Sequence, residues 1–116
     1  IIIMSVLLRI MYWKEIPVQI QAKDTSSTVS RQLEERFQKA IDSIAMYDGS
    51  AGSDEYLNYW GYGDYKEINK DLNSALDYYE EKYNSMPQDF VKKIVKTIDN
   101  NSRDESHGAI DHWLLK

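Results

Sequence analysis

The sequence predicts an α+β fold: an N-terminal β-hairpin, with a possible short third strand, packed on three to four helices. Two apolar segments of strand character come first, and helical periodicity follows through most of the remaining chain. Strands followed by helices in this order are typical of α+β domains rather than of doubly wound parallel sheets. A chain of 116 residues is long enough to form one domain with its own core.

The hairpin is predicted from two segments that flank a proline. Residues 6–13 are almost all β-branched, aromatic or aliphatic, which favours a strand. Residues 14–17 interrupt this segment, and Pro17 has no backbone N–H to donate to a sheet. Residues 18–23 alternate between apolar and polar, as a strand with one buried face does. The chain is therefore expected to reverse at residues 14–17.

A first amphipathic helix is predicted to begin within or just after the polar cluster at 24–28 and to end near Gly49. Its apolar face consists of Val29, Leu33, Phe37, Ala40, Ile41, Ile44 and Ala45. We expect Phe37, Ile41 and Ile44 to pack against Val18 and Ile20 of the second strand.

Three further helices are predicted downstream. A short one begins at Ser53 or Asp54 and extends to Trp60, a third carries apolar residues at helical spacing from 72 to 83, and a fourth begins at 85–87. Residues 64–68 fit either a third strand or a loop. The domain is expected to span 6–98, with a mobile tail at 99–116.

The composition argues against several classes of function. The net charge of −5 argues against nucleic acid as a partner, and a chain without cysteine forms no disulfide and no cysteine-ligated zinc site. The apolar residues 1–8 fall short of the ~20 that a membrane helix needs, and no secretory signal is recognised, so a cytoplasmic protein is expected. Met4 is a candidate start, and the isoleucines before it are discounted.

No catalytic residues, metal ligands or cofactor are predicted. His107 and His112 are five residues apart, whereas metal ligands on one helical turn prefer spacings of three or four. Glycines at 61 and 63 lack the rest of a dinucleotide fingerprint. These observations argue against an autonomous enzyme.

The end of the hairpin is the main candidate site. It combines large aromatic residues with two opposite charges and a proline, in the set Tyr12, Trp13, Lys14, Glu15, Pro17 and Gln19. Lys14 and Glu15 are expected to be exposed. Arg36 and Asp42 belong to the charged face of the first helix, which is either simply solvated or, in a functional interpretation, turns one of the two toward Lys14 or Glu15. The alternative is that the aromatics only cover the sheet as core residues. In the tyrosine-rich middle of the chain, Tyr56 and Trp60 are further candidates for an interface or for the core.

Several short motifs in order resemble a known family. They are the segment 12–19, Glu35-Arg36-Phe37, Ala40-Ile41-Asp42 with Met46, Asp54, Tyr56-Leu57 and Trp60. Together they resemble the bacterial virulence factor domain family, whose domain is also related to part of conserved virulence factor C. The resemblance covers about 11–60 and implies a fold and a bacterial setting but no catalytic residues. Lys14 stands where the resemblance leads us to expect arginine, which alone would allow bidentate pairing.

Two functions remain open at this point. The first is an accessory module that binds a protein partner or a second copy of itself. The second is a small-molecule or catalytic accessory site at the end of the hairpin. A protruding apolar patch would favour the first, and a concave site with converging charges would favour the second.

Overall fold

The computed structural model describes residues 5–116. Within them, an antiparallel sheet of five strands and a set of four α-helices confirm the predicted α+β class. The elements are β1 (Val6–Trp13), β2 (Ile16–Lys23), β3 (Thr28–Gln32), α1 (Glu35–Asp48), α2 (Asp54–Asn58), β4 (Trp60–Tyr62), β5 (Lys66–Ile68), α3 (Leu72–Asn84), α4 (Phe90–Asp99) and a final 3₁₀ turn (Asp111–Trp113). The candidate start at Met4 and the isoleucines before it lie outside the described residues.

Strand β1 is the centre of the sheet. It pairs with β2 along its length, and β2 pairs in turn with the edge strand β3. On its other side β1 pairs with β4 near Trp13 and with β5 near Val6. Trp13 lies opposite Ile16, so the hairpin is confirmed and its turn contains only Lys14 and Glu15.

The helices cover one face of this sheet. Side chains of β1 alternate, so that Leu8, Ile10 and Tyr12 are buried whereas Arg9 and Met11 are partly exposed on the opposite face. Helices α1 and α3 both contact β2, and α4 packs on α1. The buried core includes the five residues expected to meet between α1 and β2, namely Val18, Ile20, Phe37, Ile41 and Ile44.

The predicted start of the first helix is wrong. Residues 28–32 form β3, and α1 begins only at Glu35, so Val29 belongs to a strand. Val29, Leu33 and Phe37 follow one another at intervals of four residues. Residues four apart lie on the same face of a strand as well as of a helix, so this pattern does not distinguish the two structures. The predicted end is confirmed, because Gly49 follows α1 with a φ of 83°.

The region around Trp60 also differs from expectation. Helix α2 ends at Asn58, and Trp60 lies in β4 rather than in the short helix. The segment left open between strand and loop contains β5, which begins at Lys66. Both strands are three residues long, so neither is long enough to show the alternation from which strands are recognised.

The later helices follow the prediction closely. Asp71 caps α3, since its side chain accepts a hydrogen bond from the backbone N–H of Ser74. Helix α4 begins at Phe90, a few residues after Pro87. None of the helices described in residues 5–116 is long and apolar enough to cross a membrane.

The segment after α4 was expected to be mobile, but in the structure it lies against the body. Arg103 is 8% exposed and Ile110 is buried. The boundary at residue 98 between a domain and a tail stays a prediction.

Candidate functional site

The turn of the hairpin folds its charged side chains inward. Lys14 and Glu15 are each only 1% exposed, which corrects the expectation that both face solvent. Lys14 has a φ of 48°, in the left-handed region that residues other than glycine seldom adopt. Its backbone N–H donates to the carbonyl of Tyr59 at 3.1 Å, so the turn is tied to the start of β4.

The ammonium group of Lys14 is surrounded by three carboxylates. Its Nζ lies 2.9 Å from Asp48 Oδ2, 2.9 Å from Glu55 Oε1 and 3.0 Å from Glu105 Oε1. These acids come from the end of α1, from α2 and from the segment after α4. One ammonium group with three donors therefore joins three separate parts of the chain to the hairpin.

Arg103 completes this group of charges. Its Nε and Nη2 donate to the two carboxylate oxygens of Glu15 at 2.7 and 2.9 Å, a bidentate geometry. Its Nη1 donates to Asp48 Oδ2 at 2.9 Å and lies 3.3 Å from Glu105 Oε1. We call the six residues Lys14, Glu15, Asp48, Glu55, Arg103 and Glu105 the buried charge cluster.

The charges of the cluster shift the pKa of Asp48 downward and raise those of Lys14 and Arg103. Burial alone would raise the pKa of Asp48, but hydrogen bonds from Arg103, Ser50 and Lys14 hold it at about 2. Burial would lower the pKa of Lys14, yet its three carboxylate partners raise it above the ordinary value. Lys14, Asp48 and Arg103 therefore remain charged near neutral pH. Two cations and four carboxylates make the cluster negative overall, with Glu55 and Glu105 reaching solvent.

Some of the predicted site residues meet as an aromatic group behind the turn. Trp13 is fully buried, and its indole N–H donates to the carbonyl of Tyr56 at 2.8 Å. The ring of Tyr56 lies 5.7 Å from that of Trp13 and 6.0 Å from that of Trp60. Tyr12 is also buried. These aromatics belong to the core or to its edge, as the alternative interpretation held.

Arg36 and Asp42 do not turn toward the hairpin. Arg36 donates to the carbonyls of Asn84 and Met86 at 2.9 and 2.7 Å, which ties α1 to the end of α3. Asp42 is exposed and accepts from Gln38. The other predicted site residues, Pro17 and Gln19, lie on β2. In the sheet Pro17 pairs with Tyr12, and Gln19 pairs with Met11.

The partners of Lys14 and Glu15 were not found in the sequence. Arg103 and Glu105 lie in a polar segment without apolar periodicity, Asp48 and Glu55 are polar positions of α1 and α2, and ion pairs across 34 to 91 residues leave no local pattern. The sequence shows only that each of these residues is charged. Because most charged residues in proteins are exposed to solvent, this does not single them out as buried partners.

A shallow groove lies between α1 and the loop that leads to α2. It measures about 210 Å³ and is lined by Asp42, Ala45, Met46, Ala51, Gly52 and Tyr56. Met46 is 76% exposed. We call this the α1–α2 groove, and it brings together Asp42 and Tyr56 from the predicted site.

A second hollow lies beside Tyr12 of β1. Tyr12 and Tyr83 donate their hydroxyls to Asp111 Oδ2 at 2.6 and 2.7 Å. The ring of His107 stacks on Tyr12 at 5.5 Å, and its Nε2 donates to the carbonyl of Tyr59. Among residues 5–116, no group of three or more His, Asp or Glu side chains is arranged to hold a metal ion.

Comparison with known proteins gives one positive result. The model of a family described as Virulence factor matches residues 11–95. Neither a curated protein nor a solved structure gives a significant match. The matched range contains the end of β1 from Met11, all of β2, α1, α2 and α3, whereas Arg103, Glu105 and Asp111 lie beyond it.

Proposed function

The chain belongs to the virulence factor family, and from that membership we propose that it is an accessory domain of the bacterial cytoplasm that binds a protein partner. The α1–α2 groove is the proposed binding surface. The observation that carries this proposal is the exposure of Met46, an apolar side chain that projects beside a concave surface.

The lining of the groove indicates the chemistry of the partner. Ala45, Ala51, Gly52 and Tyr56 offer an apolar floor with one aromatic wall, and methionine adapts its shape to different apolar side chains. Asp42 is the charged residue of the lining, and the whole chain carries a net charge of −5. The partner therefore presents an apolar side chain next to a lysine or arginine.

This proposal differs from the expected binding through Lys14 and Glu15. Both side chains are engaged in ion pairs below the surface, and neither is free to contact a partner without breaking them. Their role in the proposal is to fix the end of α1 against α2, so that the groove between these elements keeps its shape.

The test is a photo-crosslinking experiment in native cells. A benzophenone side chain placed at Met46 captures whatever occupies the groove, and the same group at Leu115 is the control. Leu115 is 75% exposed and lies beside Ser85 rather than in the groove. The crosslinked protein is then purified, and its affinity for the unaltered chain, Met46→Asp and Leu115→Asp is measured.

The proposal predicts one protein that is crosslinked from position 46 and not from position 115. Met46→Asp should weaken its binding by at least about tenfold, the effect of one lost apolar anchor, whereas Leu115→Asp should leave binding unchanged. Equal binding by both variants, or crosslinks that join only copies of this chain, would exclude the proposed partner. Fractionation of the same cells tests the cytoplasmic location.

The small-molecule alternative needs a different place from the one expected. Lys14 is paired with three carboxylates and Glu15 with Arg103, so neither side chain is available to a ligand. The hollow beside Tyr12 is concave, and Asp111 is one of the residues that line it.

A further inference from the structure

Strand β3 forms one outer edge of the sheet. It pairs with β2 on one side, and no strand described in residues 5–116 pairs with its other side. Thr28, Ser30 and Gln32 of this strand are exposed, so the edge is open to solvent.

Two hydrogen bonds at the ends of the β2–β3 pair show which backbone groups of β3 face outward. The N–H of Leu33 donates to the carbonyl of Val18 at 3.0 Å, and the N–H of Asp24 donates to the carbonyl of Ser27 at 3.0 Å. Backbone groups along an antiparallel strand point alternately to its two sides. The odd-numbered residues of β3, in step with residues 27 and 33, therefore bond to β2, and the even-numbered residues point their N–H and C=O groups away from the sheet.

The edge lacks the features that usually prevent a strand from pairing with another chain. Such strands are commonly protected by proline, by lysine or by a bulge. Strand β3 contains neither proline nor lysine, and its register with β2 has no bulge. Its one charged residue, Arg31, lies on the helix side of the sheet and pairs with Asp77 and Glu80 of α3, so it does not block the outward backbone groups.

A second copy of β3 fits this edge when it runs antiparallel in a register centred on Ser30. Ser30 then lies opposite Ser30 of the second copy, and Thr28 lies opposite Gln32 of the second copy. These residues all point their backbone groups outward, and each opposed pair exchanges two N–H···O=C bonds. Every outward backbone group of β3 thus gains a partner.

The neighbouring registers are less favourable. A register centred on Arg31 would place the two arginines directly opposite each other, which is destabilising, and would leave Thr28 without a partner. A register centred on Val29 would leave Gln32 without a partner. In the register centred on Ser30, Arg31 lies opposite Val29 of the second copy, and the side chains that meet on the open face of the sheet are all neutral.

We propose that the chain forms a twofold dimer in which β3 pairs with β3 of a second copy, so that the two sheets become one continuous antiparallel sheet. A twofold axis brings the same surface of both copies together, so an edge that is complementary to itself favours a second copy over an unrelated strand. Because the paired strands are short, we expect a reversible dimer that forms at high protein concentration. The α1–α2 groove lies on other elements, and the dimer does not depend on the proposed protein partner.

The test is sedimentation equilibrium of the full chain over a wide range of protein concentration, which should reveal a monomer–dimer equilibrium. Ser30→Lys places two like charges opposite each other and should raise the Kd of the dimer about fivefold or more. Ser30→Glu should do the same, whereas an equimolar mixture of the two variants should dimerise again because opposite charges then meet. Leu115→Lys, a matched charge at an exposed position elsewhere, and Met46→Asp in the α1–α2 groove should leave the Kd unchanged.

A proline at the same position tests the backbone pairing itself. Ser30→Pro removes the outward N–H but no bond to β2, and it should raise the Kd of the dimer about tenfold or more. Ser30→Ala keeps that N–H and should still dimerise. Ser30 is exposed, so the lysine and glutamate variants are expected to fold even if the proline variant does not. A monomer at every concentration, a Kd that Ser30→Lys leaves unchanged, or a mixture that does not dimerise again would overturn the proposal.

Discussion

Arg103 holds Glu15 through two hydrogen bonds of 2.7 and 2.9 Å, although 88 residues separate them. This pair joins the turn of the hairpin to the segment after α4. Both side chains are buried, and so neither bond is weakened much by competition from water. The buried charge cluster is thus a point at which the beginning and the end of the fold are fixed to each other.

Arg103→Met should lower the free energy of unfolding by about 3–5 kcal/mol, because it leaves Glu15 buried without a cation. Urea unfolding at neutral pH measures this change. Arg31→Met is the control, since its pairs with Asp77 and Glu80 lie at the surface and should contribute little to the free energy of unfolding. If the two variants lost the same free energy of unfolding, the buried pair of Arg103 and Glu15 would contribute no more to stability than an exposed pair.

The double variant Lys14→Ala, Glu15→Ala should also unfold more easily, by about 3–5 kcal/mol. Two exposed charges would contribute little to stability, but both side chains are buried. The matched control is Lys39→Ala, Glu35→Ala, an exposed pair on α1 at 3.8 Å. This control should change stability by less than about 0.5 kcal/mol. Thermal melts of both double variants measure this difference. An unchanged melting temperature for Lys14→Ala, Glu15→Ala would contradict the structure.

The hairpin and α1 could be predicted from the sequence because their signals are local. Alternation in β2 and the apolar stripe of α1 are complete within one element each. The strand β3 was mistaken for the start of α1, since spacings of four residues fit both structures. The inward direction of Lys14 could not be predicted, because its three partners come from distant segments and only the assembled fold brings them together.

Acid should destabilise the fold through Asp48. Its pKa is about 2 in the folded chain and near the ordinary 3.8 in the unfolded chain, so the unfolded chain takes up the proton first as the pH falls. The stability that Asp48 contributes is therefore complete above pH 3.8 and is lost as the pH falls toward about 2. Urea unfolding across this range should show a steeper loss for the unaltered chain than for Asp48→Asn. Equal slopes would exclude Asp48 as a source of the acid sensitivity.

Phe37→Ala should cost about 3–5 kcal/mol of unfolding free energy, since it leaves a cavity in the centre of the core. Phe37 is fully buried, and its ring lies 5.3 Å from that of Phe90 on α4. Met46→Ala on the exposed side of α1 is the control and should stay within about 0.5 kcal/mol. A melt of Phe37→Ala that resembles the control would place this ring outside the core.

A chain that ends at Asn100 should melt roughly 12 °C or more below the full chain, which corresponds to a loss of about 3 kcal/mol. The sequence alone predicts a mobile tail here, since residues 100–105 have no apolar periodicity. In the structure, however, its removal leaves Glu15 without Arg103 and leaves the hydroxyls of Tyr12 and Tyr83 without Asp111. A chain that ends at Leu114 is the control, because Leu115 and Lys116 are largely exposed, and it should melt within a few degrees of the full chain. An unchanged melting temperature on truncation at Asn100 would show that the segment adds no stability and would support the domain boundary at residue 98.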